Sequence, residues 1–267
     1  MKRDAGLMVA EPGPEEAYFS RRMGDLCHLD DPRRLDVMRA LGASGGSDAN
    51  LIDVATAELQ MLAYQVDGTH AQVGGPAAFM ARIARNPAIG AEMVELADVL
   101  QSRASLSFRS LPGLQDTPLC LHAGYHVREI LTAVGWLTAF RRTPFQSGRL
   151  SLNDRKTELL FVTLDKSAGY HDRIAYRDYA ISATRFHWQT QNNAGPDNAS
   201  GRRYMESGDN GWNFQLFVRT RKGEPYLACG RVMMESIEGD RPMSVVWNLE
   251  QALPARWFRE FSMLRGA

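Results

Sequence analysis

Cysteine is scarce: the chain of 267 residues has three, Cys27, Cys120 and Cys229. The number is odd, they lie far apart and no Cys-x-x-Cys spacing occurs. That argues against a disulfide framework and a thiolate zinc site, and predicts three small buried apolar residues. No run approaches the roughly 18 to 20 apolar residues of a membrane span. The opening MKRDAGLMVAEPGP has too short an apolar segment for a secretory signal. A cytoplasmic protein with no membrane partner is expected. Also missing are the Gly-x-x-x-x-Gly-Lys-Ser/Thr phosphate loop, the Gly-x-Gly-x-x-Gly dinucleotide fingerprint and the Gly-x-Ser-x-Gly elbow, which argues against an ATPase, a dehydrogenase and a standard α/β-hydrolase. No cofactor is implied.

Net charge is zero, yet unevenly placed: residues 1–116 hold 11 Lys and Arg against 16 Asp and Glu, and the remainder 20 against 15. A basic second half suits an anionic partner, and suits equally an ordinary domain screened by an acidic neighbour.

The residue pattern divides the chain in the same place. Residues 1–13 read as a tail. Pro14 then opens a helix with acids in its first turn, and DDPRRLDVMRALG gives a second, with Asp31 as N-cap, Pro32 at the first position and Gly42 as stop. Leu51, Val54, Ala55, Leu59 and Leu62 recur at helical spacing, and a shorter and a longer helix follow, parted at Asn86-Pro87. The helical region spans 14–110. From 117 to 267 the composition is β-rich: LCLHA looks like a short strand before the helix VREILTAVG, and GRLSLN, ELLFVTLD, RFHWQTQ, WNFQLFVRTR, PYLACGRVMMES and MSVVWNL are strand candidates. A last helix starts at Pro254. The expected fold class is α+β: an N-terminal helical region, then a curved antiparallel β-sheet or small β-barrel with a C-terminal capping helix.

Catalytic patterns are incomplete. His122 and His126 have metal-ligand spacing, with Glu129 three further on, but the strand-to-helix change between them denies them one helical face. Asp165 is followed directly by Lys166, whereas a metal-dependent nuclease strand needs a residue between acid and Lys so that both project to one side. Neither a catalytic residue nor a metal ligand is assigned. A hydrolase using His187 or His171 with Asp172, Glu235 or Glu238 stays open as an alternative.

The densest mixture of rings and polar groups is YRDYAISATRFHWQTQN, followed by the turn-rich NAGPDNASGRRY. On a strand, Arg185, His187, Gln189 and Gln191 line one side while Phe186, Trp188 and Thr190 line the other. Planar hydrogen-bonding groups in a row suit base edges and phosphates, and rings suit base stacking. Candidate nucleic-acid contacts are therefore Arg185, His187, Gln189, Gln191 and Asn192, with Tyr179 and Trp188, and Arg202, Arg203 and Tyr204 on an adjoining loop. Alternation buries one face, so Phe186 and Trp188 read equally as core.

Taken in order, LLFVTLDKS, YRDYAIS, RFHWQTQN, GRRY, LFVR, PYLACG and EGDRPMSVVWNL resemble domain of unknown function 3427. That family is found at the C-terminus of bacterial superfamily 2 helicases of the DEAD/DEAH type, some with a phospholipase-D-like nuclease domain. LCHLDDPRRLDVMRAL and LCLHAGYHVREIL resemble the helical stretch that follows the motor, so the likeness covers roughly residues 20 to 260. His126 stands where the family usually has Thr or a small polar residue, and Ile237 where it often has His. The sequence carries no motor, so the resemblance implies neither unwinding nor ATP hydrolysis. It implies a DNA-binding or specificity module of a restriction or anti-phage defence system, with DNA, modified or not, as partner. A scaffold docking a separate helicase or nuclease is the other non-catalytic expectation.

Overall fold

The computed structural model describes residues 13–67, 75–137, 148–165, 178–191 and 194–262. They fall into two compact units, parted after residue 105.

In the first unit, α1 (Pro14–Ser20), α2 (Pro32–Ala43), α3 (Ala49–Asp67), α4 (Pro76–Ala84) and α5 (Pro87–Arg103) enclose a core that includes Phe19, Leu35, Met38, Leu59, Phe79, Ile83 and Met93. Asp31 caps α2 by accepting from the Arg34 backbone N–H at 3.0 Å, and Pro32 follows at a position whose N–H has no helical partner. Gly42 lies inside α2 rather than ending it. A Cβ there would collide with the Gly90 carbonyl of α5, so the absent side chain sets how closely the two helices approach. Cys27 is exposed, against expectation, in the turn after a 3₁₀ stretch, while Cys120 and Cys229 are buried.

The second unit holds β1 (Gly124–Tyr125), α6 (Val127–Ala133), β2 (Arg149–Leu152), β3 (Thr157–Asp165), β4 (Tyr179–Ser182), β5 (Arg185–Gln189), α7 (Ala199–Met205), β6 (Asn213–Arg221), β7 (Tyr226–Glu238), β8 (Ser244–Leu249) and α8 (Ala255–Ser262). The strands form one eight-stranded sheet in the order β2-β3-β6-β7-β8-β5-β4, with β1 paired to β7.

Two expectations about this sheet are corrected. It is open and curled, with β2 and β4 at its two ends, and not a closed barrel. Nor is it wholly antiparallel: β3 and β6 run parallel, Thr157 beside Asn213 and Val162 beside Val218. The reason is connectivity. Between β3 and β6 the chain makes the β4-β5 pair at the far end of the sheet, so β6 returns beside β3 in the same direction.

Local corrections have local causes. LCLHA is not a strand: His122 takes a φ of 64°, a left-handed conformation that interrupts extended chain, and the strand opposite β7 is confined to Gly124 and Tyr125. The turn-rich stretch after residue 195 contains α7, whose N-cap Asn198 accepts from the Gly201 N–H at 2.9 Å. A Cβ on Gly201 would run into the Gly195 carbonyl, so this tight entry needs glycine.

One sheet face carries the larger core: Leu160 and Val162 of β3, Phe186 and Trp188 of β5, Phe214 and Leu216 of β6, Val245 and Trp247 of β8, closed by Tyr204 of α7 and Phe261 of α8. α8 packs on β4, and its Glu260 accepts from Thr220 of β6 at 2.6 Å, so this helix covers one end of the core face as the sequence suggests. On the opposite face Phe161 stacks on Phe217, ring centroids 5.5 Å apart, and Gln215 donates to the Pro112 carbonyl at 2.6 Å. Among the described residues, no helix is long and apolar enough to cross a membrane.

Candidate functional site

β5 answers which of its faces is buried. Phe186 and Trp188 are 0% and 5% exposed and Thr190 is buried, whereas Arg185, His187 and Gln189 are half-buried on the other face. The outer row is ordered by neighbouring strands. His187 lies opposite Tyr179 of β4, and the two rings stack with centroids 5.0 Å apart and planes 17° from parallel. Arg185 donates through Nε and Nη2 to both carboxylate oxygens of Glu235, the Nε bond being 2.9 Å. The pair holds the Glu235 carboxyl below its ordinary range and raises the guanidinium. The Gln189 backbone N–H donates to Asp178 at 2.8 Å, and its side-chain amide lies 3.4 Å from Ser244 Oγ.

The remaining candidates gather elsewhere. Gln191 carries its amide to the start of β2, 3.5 Å from where a Cβ on Gly148 would stand. There the curl brings β2, β3 and α7 together around Glu158. This carboxylate points from β3 to the core face and is fully buried. A buried carboxylate is tolerated only when its lone pairs are filled. Here Tyr204 Oη and Arg203 Nη1 donate to it, with Ser151 Oγ at 3.1 Å and Arg149 Nη1 at 3.5 Å. Arg203 Nη1 also donates to Ser151 at 2.8 Å, its guanidinium lies 3.7 Å from the Trp212 ring centroid, and Arg149 donates to Ser200 at 2.9 Å. Burial first, then the Glu158 charge, pushes the Tyr204 hydroxyl well above its ordinary value, so it stays a neutral donor.

Of the ten sequence-picked residues, the structure thus puts Tyr179, Arg185, His187 and Gln189 on one outer face, and Gln191 and Arg203 at the seam of the curl. Arg202 donates to the Asp197 carbonyl at 2.9 Å on the exposed side of α7. Trp188 and Tyr204 are core residues with no ring face to offer, because alternation and the Glu158 bond turn them inward. Asn192 lies outside the described residues, as do Lys166, His171, Asp172 and Tyr176. Sequence reasoning missed Arg149, Ser151, Glu158 and Trp212. The signal was available: an acid placed in the otherwise apolar run TELLFV, at core-facing parity with Leu160, requires donors from somewhere.

The incomplete catalytic patterns stay apart. Asp165 faces Arg221 across the parallel pair at 3.4 Å. His126 caps the start of α6, its backbone N–H donating to Glu129 at 2.8 Å, while His122 is buried with Nδ1 3.4 Å from Arg109 Nη2 and with no partner for Nε2 among the described residues. Burial, then Arg109, lowers the His122 imidazole to about 4. Among the described residues, no three His, Cys, Asp or Glu side chains are grouped to hold a metal ion.

A helical unit joined to an open, curled mixed sheet, with a polar row outside and a polyvalent carboxylate inside, defines an α+β protein whose recognisable surface lies in its second unit. The chain belongs to the family described as Domain of unknown function (DUF3427), which matches residues 119–261. No curated protein matches it significantly.

Proposed function

We propose that the chain is a non-catalytic recognition module for DNA, and that the outer face of β5 makes the contact. One observation carries this reading: the stacked Tyr179 and His187 rings stand half-buried between Arg185 and Gln189 on a face the core does not use. A base stacked on such rings contributes about 1–3 kcal/mol, and an amide or guanidinium beside it discriminates base edges by a similar amount. The Arg185–Glu235 pair is exposed and opens at small cost to a ligand. The resemblance to domains that end bacterial helicases, and through them to restriction and anti-phage defence, supports the same reading. A motor or nuclease that must choose its DNA needs such a module, and a separate helicase or nuclease is the partner this implies.

The test is fluorescence anisotropy with single-stranded, duplex and base-modified oligonucleotides. His187→Ala is expected to weaken the preferred ligand by about 5- to 100-fold, with an unchanged melting curve, because the ring lies outside the core. Equal binding by wild type and His187→Ala, or no binding to any of the three DNA forms, overturns the proposal.

A further inference from the structure

The geometry points to a phosphate seat at the seam of the curl, in which the side edge of Arg203 grips two oxygens of a phosphate group. It deepens the recognition reading and rests on it for the bearer of that phosphate, the backbone of a nucleic acid.

A guanidinium has five N–H donors. Arg203 uses only Nη1, on Glu158 and on Ser151 Oγ. Its Nε and Nη2, the parallel donors of the side edge, make no hydrogen bond among the described residues, and its side chain is 18% exposed. This is the edge that Arg185 uses to hold both oxygens of Glu235, which shows within the same unit what it accepts. The Arg203 plane is fixed twice over, by Glu158 at one end and by the Trp212 ring beneath. A ligand therefore meets a preorganised fork, and little side-chain freedom is lost on binding.

Charge points the same way. Two guanidiniums, of Arg149 and Arg203, surround one carboxylate, and the neutral Tyr204 hydroxyl adds no negative charge. The seam thus lines this carboxylate with positive groups in a partly desolvated place, where a phosphate makes charge-assisted bonds of about twice neutral strength. Lys156 adds to it: the exposed Nζ lies 3.8 Å from where a Cβ on Gly211 would stand, and Gly211 precedes Trp212.

Arg203→Lys keeps the charge and an ion pair to Glu158 but removes the fork. Its anisotropy is measured with a single-stranded oligonucleotide and with a methylphosphonate analogue that lacks backbone charge. The expected result is at least a 10-fold loss for the charged strand and equal binding of the neutral one by variant and wild type. Unchanged binding of the charged strand, with an unchanged melting curve, overturns the seat. Should Arg203→Lys melt early, Lys156→Ala decides: a loss of several-fold with a shallower salt dependence supports the seat, and no loss overturns it. Inorganic phosphate, followed by the nitrogen-15 shift of the Arg203 Nε, separates the two readings. Phosphate binding with no oligonucleotide binding keeps the seat and removes the nucleic-acid reading. Oligonucleotide binding that depends on His187 and not on Arg203 does the reverse.

Discussion

In each unit of this protein a buried carboxylate is surrounded by a tyrosine and an arginine, Asp67 in the first and Glu158 in the second, and the two clusters are finished differently. In the helical unit Asp67 accepts from Tyr18 and Arg82, and the Nε of Arg82 donates to a second acid, Glu15, at 2.6 Å. Glu15 in turn accepts from Asn86 at 3.0 Å. In the sheet unit Glu158 accepts from Tyr204 and Arg203, and the matching Nε of Arg203 meets no acid among the described residues, while Arg149 brings a second guanidinium. The tyrosines report the same environment, since burial and the neighbouring carboxylate push Tyr18 up to about 12 and Tyr204 well above its ordinary value. The lesson lies in the arginine's outer edge. Where a second acid closes it, the cluster is a fastener; where it stays open, the same parts can serve as the proposed phosphate seat.

The largest effect expected comes from removing the two acids. Glu158→Ala and Asp67→Ala should each cost about 3–5 kcal/mol, the range for breaking a buried pair from one side, measured by urea unfolding of the chain. The comparison sharpens on adding phosphate: Tm should recover in part for Glu158→Ala, where two guanidiniums are left facing each other, and not for Asp67→Ala. Equal recovery in both would show that the clusters do not differ in kind.

His122 is a buried group whose Nε2 has no hydrogen-bond partner among the described residues, and it shows what the clusters avoid. Its folded pKa of about 4 lies below the ordinary imidazole value of about 6.5, so between these pH values the unfolded chain binds a proton that the folded chain refuses. Stability is therefore unaffected above about pH 6.5 and lost as pH falls toward about 4, by up to roughly 3 kcal/mol. His122→Gln should flatten that part of the pH profile. A profile unchanged by this substitution would assign the acid sensitivity to other groups.

The smallest effect expected is at Arg185 and Glu235, an arginine–carboxylate pair that is bidentate, unlike those inside, but 43% and 32% exposed. Either single alanine change should alter stability by no more than about 1 kcal/mol. A loss as large as that of Glu158→Ala would mean that burial is not what separates the pairs.

Much of this architecture was legible in the residues. Proline at first helical positions and Asp31 before α2 marked helix starts that the structure keeps, because capping is local chemistry. The alternation of RFHWQ was legible for the same reason, and the structure turns Phe186 and Trp188 inward. The parallel pairing of β3 with β6 was not, since it depends on where the chain goes between them. α7 was hidden in a run of turn formers, Asn, Gly, Pro and Ser, whose helical use depends on Tyr204 finding Glu158. At the candidate site, Arg203 was visible as a residue but not as a geometry. Its stacking on Trp212 and its bond to Glu158 join positions that no local pattern connects.

The parallel β3-β6 pair also constrains how the chain reaches this state. It joins residues 56 positions apart, as Thr163 and Arg219 are, and it sits between β2 and the antiparallel run of β6, β7 and β8. Closing so long a loop costs entropy before any contact repays it. The β2-β3 pair and the run of β6, β7 and β8 each join neighbours in sequence, whereas the β3-β6 junction between them must wait for the long loop to close. The Glu158 cluster, and with it the fork of Arg203, likewise joins residues 45 and 46 positions apart, so the proposed seat at the seam depends on the same long-range closure.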